Sequence, residues 1–310
     1  MQRLLLCAVC AAGLASCGFP RPADVGDDAS PSGDDTSPPI DAATDTMDGD
    51  SQPQCSPTAT FGAPSPILGI ALTSDSVPRL SADELTIYFS AAATPNGMSD
   101  LYVARRSARS EPFGTPALIM ELSPSSSSEG DPTVGRDGLT MFFDSTTPDS
   151  GQIFPNYQIY VATRPSALGQ FGAAAPATVN GANPGSSSMS PFLTADGQEL
   201  WLSTVRDAQS IYHIWRAVRV ADGFSTPALV PELKAAGEDT WDTAPAVSFD
   251  KLSVYFSRLQ TSSANGFDIW MSHRSFIGDG FPAPHRVDEL NTAGPDLPGW
   301  ILRTTAGCTV

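Results

Sequence analysis

One phrase is written four times in this chain: Pro, a two-residue gap, Ser, Thr or Gly, one variable residue, Asp, then an apolar run rich in aromatics. The copies are PRLSADELTIYFS from Pro78, PTVGRDGLTMFFD from Pro132, PFLTADGQELWLS from Pro191 and PAVSFDKLSVYFS from Pro245, spaced 54, 59 and 54 residues apart. Short β-type runs at such a period mark a repeat architecture, whose units bury their cores by packing on their neighbours.

Each copy carries further landmarks. Tyr88-Phe89, Phe142-Phe143, Trp201-Leu202 and Tyr255-Phe256 close the apolar run, and the Asp segment before it is turn chemistry, so the pair reads as a β-hairpin. A third strand follows at Leu101–Ala104, Ile159–Ala162, Ile214–Ala217 and Ile269–Ser272, with an Arg two residues beyond each, at 106, 164, 219 and 274. A loop of the form Phe-Gly-x-Pro or close to it comes next, starting at Phe113, Phe171, Phe224 and Phe281. An extra copy at Phe61 precedes the first repeat. Four short strands per unit, with no helical periodicity from Phe61 onward, read as the blade of a β-propeller. The aligned aromatics are then packing between blades.

These residues resemble the TolB-like, WD-repeat-like propeller repeat of bacterial exported proteins, with its core Pro-x-x-Ser-Pro-Asp-Gly-x-x-Leu-x-Phe and an Ile-Tyr or Ile-Trp strand. Ser81, Thr194 and Ser248 fill the Ser position; Asp83, Asp137, Asp196 and Asp250 fill the Asp position. The residue between them departs from the pattern, being Ala82, Arg136, Ala195 and Phe249, never Pro, and Gly follows the Asp only at Gly138 and Gly197. The resemblance covers about residue 61 to the C-terminus and implies a propeller; it says little about activity.

The expected fold is therefore all-β, a propeller over residues 58–310 with units near 61–112, 113–170, 171–223, 224–280 and a partial one at 281–310. Asp296-Leu297-Pro298-Gly299-Trp300 restarts the motif. The economical count is five blades: four complete and a fifth that is composite, built from both ends of the chain, or incomplete.

Ahead of the repeats, residues 1–16 read as a secretory leader, with Arg3 before an apolar run too short for a permanent span. Leu14-Ala15-Ser16-Cys17 resembles the bacterial lipobox, which makes Cys17 the lipidation site and places the protein in the cell envelope, with the outer membrane favoured. Residues 17–57 are rich in Asp, Pro, Ser, Thr and Ala; between Gly18 and Thr60 stand nine Asp against one Arg. Such a stretch cannot bury enough surface to offset its ordering entropy, and reads as a disordered tether. Its Asp clusters lack the spacing of a calcium loop. Of five cysteines, Cys7 and Cys10 leave with the leader, so Cys55 and Cys308 remain as a candidate disulfide stapling the ring.

The net charge of -17 argues against nucleic acid and against docking on anionic lipid. His213, His273 and His285 sit at non-equivalent points and make no metal pair, no nucleophile elbow occurs, and no cofactor or metal is expected. Three residues before each repeat Pro stand Asp75, Glu129, Ser188 and Asp242, with Pro295 in the partial copy. There the innermost strand begins, so these four side chains are the candidate ligand-binding residues at the channel mouth; the competing reading makes them local caps. The residues favour a non-catalytic module that binds a protein, peptide or glycan. The alternative is a glycan-active hydrolase, whose carboxylates would come from Asp75, Glu129, Asp131 and Asp242.

Overall fold

The computed structural model describes residues 61–62, 64–70, 77–92, 97–146, 156–179, 186–206, 211–235, 240–260, 266–304 and 307–309. The expected leader, lipobox and tether, with Cys17 and Cys55, lie outside them.

Four antiparallel sheets form the blades. The first is β1 (Arg79–Leu80), β2 (Thr86–Ala92), β3 (Ser99–Arg105) and β4 (Ala117–Leu118), and the second is β5 (Glu129–Val134), β6 (Thr140–Thr146), β7 (Tyr157–Thr163) and β8 (Ala175–Pro176). The third is β9 (Ser188–Leu193), β10 (Glu199–Thr204) and β11 (His213–Val220), with β12 (Gly223–Phe224) and β13 (Ala228–Leu229) both paired to β11. The fourth is β14 (Thr240–Val247), β15 (Ser253–Gln260), β16 (Phe267–His273) and β17 (His285–Arg286). A hairpin of β18 (Leu302–Thr304) and β19 (Gly307–Thr309) follows. The first strands β1, β5, β9 and β14 lie next to one another in sequence order around the axis. This is a β-propeller, the arrangement that the repeat and its resemblance imply.

The repeated phrase is hairpin engineering. Ser81, Thr194 and Ser248 each donate a side-chain hydroxyl to the Asp two residues on, at 2.5, 2.7 and 2.5 Å. The same Asp accepts the amide two residues further, at 3.0 Å from Leu85, 2.9 Å from Leu139, 3.0 Å from Gln198 and 3.0 Å from Leu252. The residue after the Asp takes a left-handed conformation: Glu84 (φ 64°), Gly138 (70°), Gly197 (67°) and Lys251 (59°). Glycine bears this without strain; Glu84 and Lys251 do so at a cost of order 1 kcal/mol.

The recurring Arg clamps that turn. Arg106, Arg164, Arg219 and Arg274 donate Nε to the carbonyls of Glu84, Gly138, Gly197 and Lys251, at 2.8, 2.7, 2.6 and 3.1 Å. Each guanidinium lies 4.4–4.6 Å above the ring of its own blade's loop Phe, at 113, 171, 224 or 281. One long side chain thus ties together two landmarks more than twenty residues apart in sequence.

The aromatics join the blades. Phe142 meets Phe224 and Trp201 meets Phe281 edge to face, at 5.7 and 6.0 Å, each reaching the loop Phe of the following blade. In the fourth blade Tyr255 meets Phe61 in the same way at 6.0 Å, so the extra N-terminal copy stands where a fifth blade's Phe would be. From the other end of the chain Trp300 packs on Phe192, 5.8 Å between centroids, and on the cores of the first and last blades. The fifth sector is composite, drawing on both ends of the chain. The strands that follow the fourth blade, β18 and β19, pair with each other.

Candidate functional site

After the repeat Pro stand, in order, Arg79, Thr133, Phe192, Ala246 and, in the partial copy, Gly299. Arg79 has no exposed surface. Its Nη1 donates to the carbonyls of Pro298 (3.3 Å) and Gly299, its Nη2 to that of Pro245 (3.3 Å), and its guanidinium lies 5.0 Å from the centroid of Phe192. Burial lowers its pKa to about 10, offset in part by the charge of Asp131. Every sector thus has a group at this one cation. Arg79 and Phe192 thus meet across the hub between the first and third blades.

Glu129, Ser188 and Asp242 stand toward the start of the inner strands β5, β9 and β14. All three are buried and each is engaged by the second strand of its own blade. Glu129 accepts hydroxyls from Ser127 at 2.6 Å and Ser145 at 2.9 Å, and burial raises its pKa. Ser188 bonds Thr204 at 2.8 Å, and Asp242 takes Arg258 through both oxygens, at 2.6 and 3.2 Å. Asp75 lies outside the described residues.

Two other carboxyls meet beside the axis. Asp131 accepts the Ser190 hydroxyl at 2.6 Å and the Val77 amide, bridging the first three blades. Asp144 accepts the Ser190 amide at 2.7 Å. Burial raises both pKa values, and the negative charge of Asp131 pushes Asp144 further up. The same surroundings push the Tyr157 hydroxyl to about 12, first by burial and then by these two carboxylates. Gly130 makes the approach possible, since a Cβ there would lie 2.5 Å from Asp144 Oδ1. The backbone is contorted to match: Asp131, Ser190 and Ala244, each just before a repeat Pro, have φ of 43°, 51° and 51° at bulges in the inner hairpins. Such conformations cost about 1–3 kcal/mol each and collect at functional positions.

A cavity of about 360 Å³ opens among the hairpin turns, a size that suits a small ligand or one or two side chains. Its wall is Val134, Phe192, Leu193, Val247, Trp300 and Ile301. Ala82, Arg136, Ala195 and Phe249, the residues between Ser and Asp of the repeat, form its rim together with Asp83, Glu84 and Arg109. Neither rim carboxylate is idle. Burial opposes ionisation of Asp83, but the bonds from Ser81 and Leu85 hold its pKa below the usual value; Glu84, raised by burial, pairs with Arg109 at 3.4 Å.

The repeat register singles out neither this cavity nor Asp144: Glu129, Ser188 and Asp242 stand toward the other end of the inner strands. Both left signals. Asp144 ends its copy of the phrase where the others end in Ser90, Ser203 and Ser257, and the rim residues are the ones that depart from the family pattern. The histidines form no site: His273 bonds Ser253 at 2.9 Å, His213 is buried 3.8 Å from Asp242 and His285 is exposed. Among the described residues no group of three His, Cys, Asp or Glu side chains is placed to hold a metal ion.

No protein-family model matches the sequence. No curated protein matches it either. Solved structures do. A putative TolB from Agrobacterium tumefaciens is similar with a TM-score of 0.48 and 16% identity, over 74% of this chain and 70% of that one. A thermostable family-43 glycoside hydrolase gives 0.48 and 13%, over 74% and 77%. An exo-beta-1,3-galactanase from Clostridium thermocellum gives 0.50 and 13%, over 76% of this chain and 55% of that one. Of these three only the galactanase reaches a TM-score of 0.50, and at 13% identity that likeness is one of fold alone.

Proposed function

We propose that this protein is a non-catalytic binding module for a protein, peptide or glycan of the bacterial envelope, held there by lipid on Cys17 through the acidic segment that follows. The observation that carries the reading is the turn-side cavity. It has an apolar wall, a floor closed by Phe192 and rim carboxylates already committed to a turn and an ion pair. That is the chemistry of recognition, with no carboxyl left to act as acid or base. Fold alone supports many activities, so the site has to carry the argument. The test is a glycan and peptide array probed with the mature protein and with Ala195→Trp, which fills the cavity mouth. Binding by the first and not by the second supports the reading; an array silent to both overturns it.

The Asp131–Asp144 pair favours a second reading, glycoside hydrolysis, the activity named for two of the fold neighbours. Two carboxyls with unequal surroundings can divide the roles of acid and base. Release of nitrophenol from aryl glycosides, lost in Asp144→Asn, would establish it in place of the first.

A further inference from the structure

We propose that the end of the propeller where the inner strands begin binds a primary ammonium group, as on a lysine side chain or an alkyl diamine, seated by Glu129, Asp131 and Asp144 and reached past Tyr157, Tyr212 and Trp241. This site lies apart from the turn-side cavity and does not depend on it.

The seat is built on the inner hairpin of the second blade. Glu129 and Asp131 flank Gly130 on β5, and Gly130 is paired with Asp144 on β6. Ser190 of the third blade ties the two aspartates together, giving its hydroxyl to Asp131 Oδ2 and its amide to Asp144 Oδ2. Glu129 is 1% exposed. Its Oε1 accepts both serine hydroxyls, whereas its Oε2 has no hydrogen-bond partner among the described residues. A buried carboxylate oxygen without a donor is costly, so this position is short of an N–H or O–H.

It is also short of positive charge. Burial raises the pKa of all three carboxyls, and the charge of Glu129 adds to the rise at Asp144. Among the described residues Arg79 offsets Asp131, but no cation offsets Glu129 or Asp144. Arg79 already gives its donors to three backbone carbonyls. The segments that lead into β1, β9 and β14 or join a second strand to its third, residues 71–76, 93–96, 147–155, 180–185, 207–210, 236–239 and 261–265, contain no Lys or Arg. A primary ammonium supplies both charge and N–H donors. A quaternary ammonium supplies charge alone, and a hydroxyl a donor alone. The carboxyls are not gathered closely enough to share one metal ion.

The approach is aromatic. Tyr157 and Tyr212 are half-buried, and both hydroxyl pKa values are raised, first by burial and then by the charge of Asp144. Ser187 holds the two together, accepting the Tyr212 hydroxyl at 2.7 Å and the Tyr157 amide at 3.0 Å. Tyr212 packs on Trp241, 5.6 Å between centroids, and Trp241 is 41% exposed. The rings thus run from the surface to the carboxyls, and Asp131 itself is only half-buried. Aromatic faces attract a cation and give its alkyl stem apolar contact.

Calorimetric titration of the mature protein tests the seat with four probes: Nα-acetyl-lysine methylamide, its Nε-acetylated form, 1,4-diaminobutane and choline. The two primary amines should bind about tenfold or more tighter than the acetylated form and choline. The tighter of the two names the source, a protein side chain or a free amine, and either supports the proposal. Asp144→Asn and Glu129→Gln should each weaken the amines about fivefold or more with circular dichroism unchanged, while Ala195→Trp should leave them alone. Equal binding of the acetylated form, or amine binding indifferent to both carboxyl substitutions, overturns the proposal. Amine binding lost in Ala195→Trp overturns it too, by moving the ligand to the turn-side cavity. No heat from any probe at millimolar concentration overturns it and leaves the reading of that cavity untouched.

Discussion

Arg79 of the first blade lays its guanidinium over the ring of Phe192 in the third, 5.0 Å from its centroid, on the axis of the propeller. The carbonyls that satisfy it come from Pro245, Pro298 and Gly299. A cation taken wholly out of water is tolerated only with such partners.

Replacing it tests that dependence. Arg79→Met removes the donors and leaves three buried carbonyls facing an apolar side chain. The expected loss is more than about 3 kcal/mol, since each unsatisfied acceptor costs about 1–3 kcal/mol. Urea denaturation measures it, and limited proteolysis should cut first after Asp296, where the segment that Arg79 holds begins. Loss of less than about 1 kcal/mol would mean that packing of Trp300 holds the segment by itself.

The buried carboxyls set a pH dependence. Glu129, Asp131 and Asp144 have folded pKa values above the ordinary 4.5, 3.8 and 3.8. Across that interval the folded chain keeps protons that the unfolded chain has released, so stability falls as pH rises through it and levels off above the folded values. Asp83 and Asp196, held below 3.8, act in the opposite sense: their contribution is present above 3.8 and lost as pH falls through their folded values. Stability should therefore peak on the acid side of neutrality. Asp144→Asn keeps an acceptor for the Ser190 amide, and should flatten the fall and raise stability near neutral pH. Thermal melts across the pH range check it; an unchanged slope would assign the effect to other groups.

Glu84 is a site for a stabilising change. It holds φ of 64°, where two of its counterparts are glycine, and its carboxylate is partly stripped of water. Glu84→Gly removes the left-handed penalty and the desolvated charge at the cost of a part-exposed ion pair with Arg109. A gain of about 1 kcal/mol in urea is expected. A loss would show that the pair with Arg109 outweighs the backbone strain.

The candidate disulfide remains a proposal. Cys55 lies outside the described residues and Cys308 belongs to β19, opposite Arg303. Phe61, six residues after Cys55, sits in the closing sector. Unreduced peptide mapping of the mature protein should recover the two cysteines in one linked pair, and reduction should lower stability by about 2–5 kcal/mol. Two free thiols would leave closure to Arg79 and the aromatic contacts alone.

Much of the scaffold was legible in the sequence because its chemistry is local and repeated. Asp83, Asp137, Asp196 and Asp250 each cap a turn within two residues, and four aligned copies make such a signal hard to mistake. The recurring Arg was visible as a position, but its purpose was not, since the carbonyl and the ring it joins are brought together only by the folded blade. Glu129, Ser188 and Asp242 were picked by register as mouth residues; the structure gives each a cross-strand partner, which depends on what the second strand happens to offer. Asp144 and the rim residues became visible only once the departures from the repeat were placed in space. What a repeat keeps constant is scaffold, and what it varies is where neighbouring units differ in use.

Two of the three acceptors of Arg79, the carbonyls of Pro298 and Gly299, lie 219 and 220 residues further along the chain. A polypeptide emerging from its N-terminus makes this cation long before those two partners. Until Pro298 and Gly299 arrive, the charge has no proper home in a dry interior, and the ring cannot shut around it. A chain that stops short of those two residues should therefore keep a stranded guanidinium at its hub and be more exposed to proteolysis.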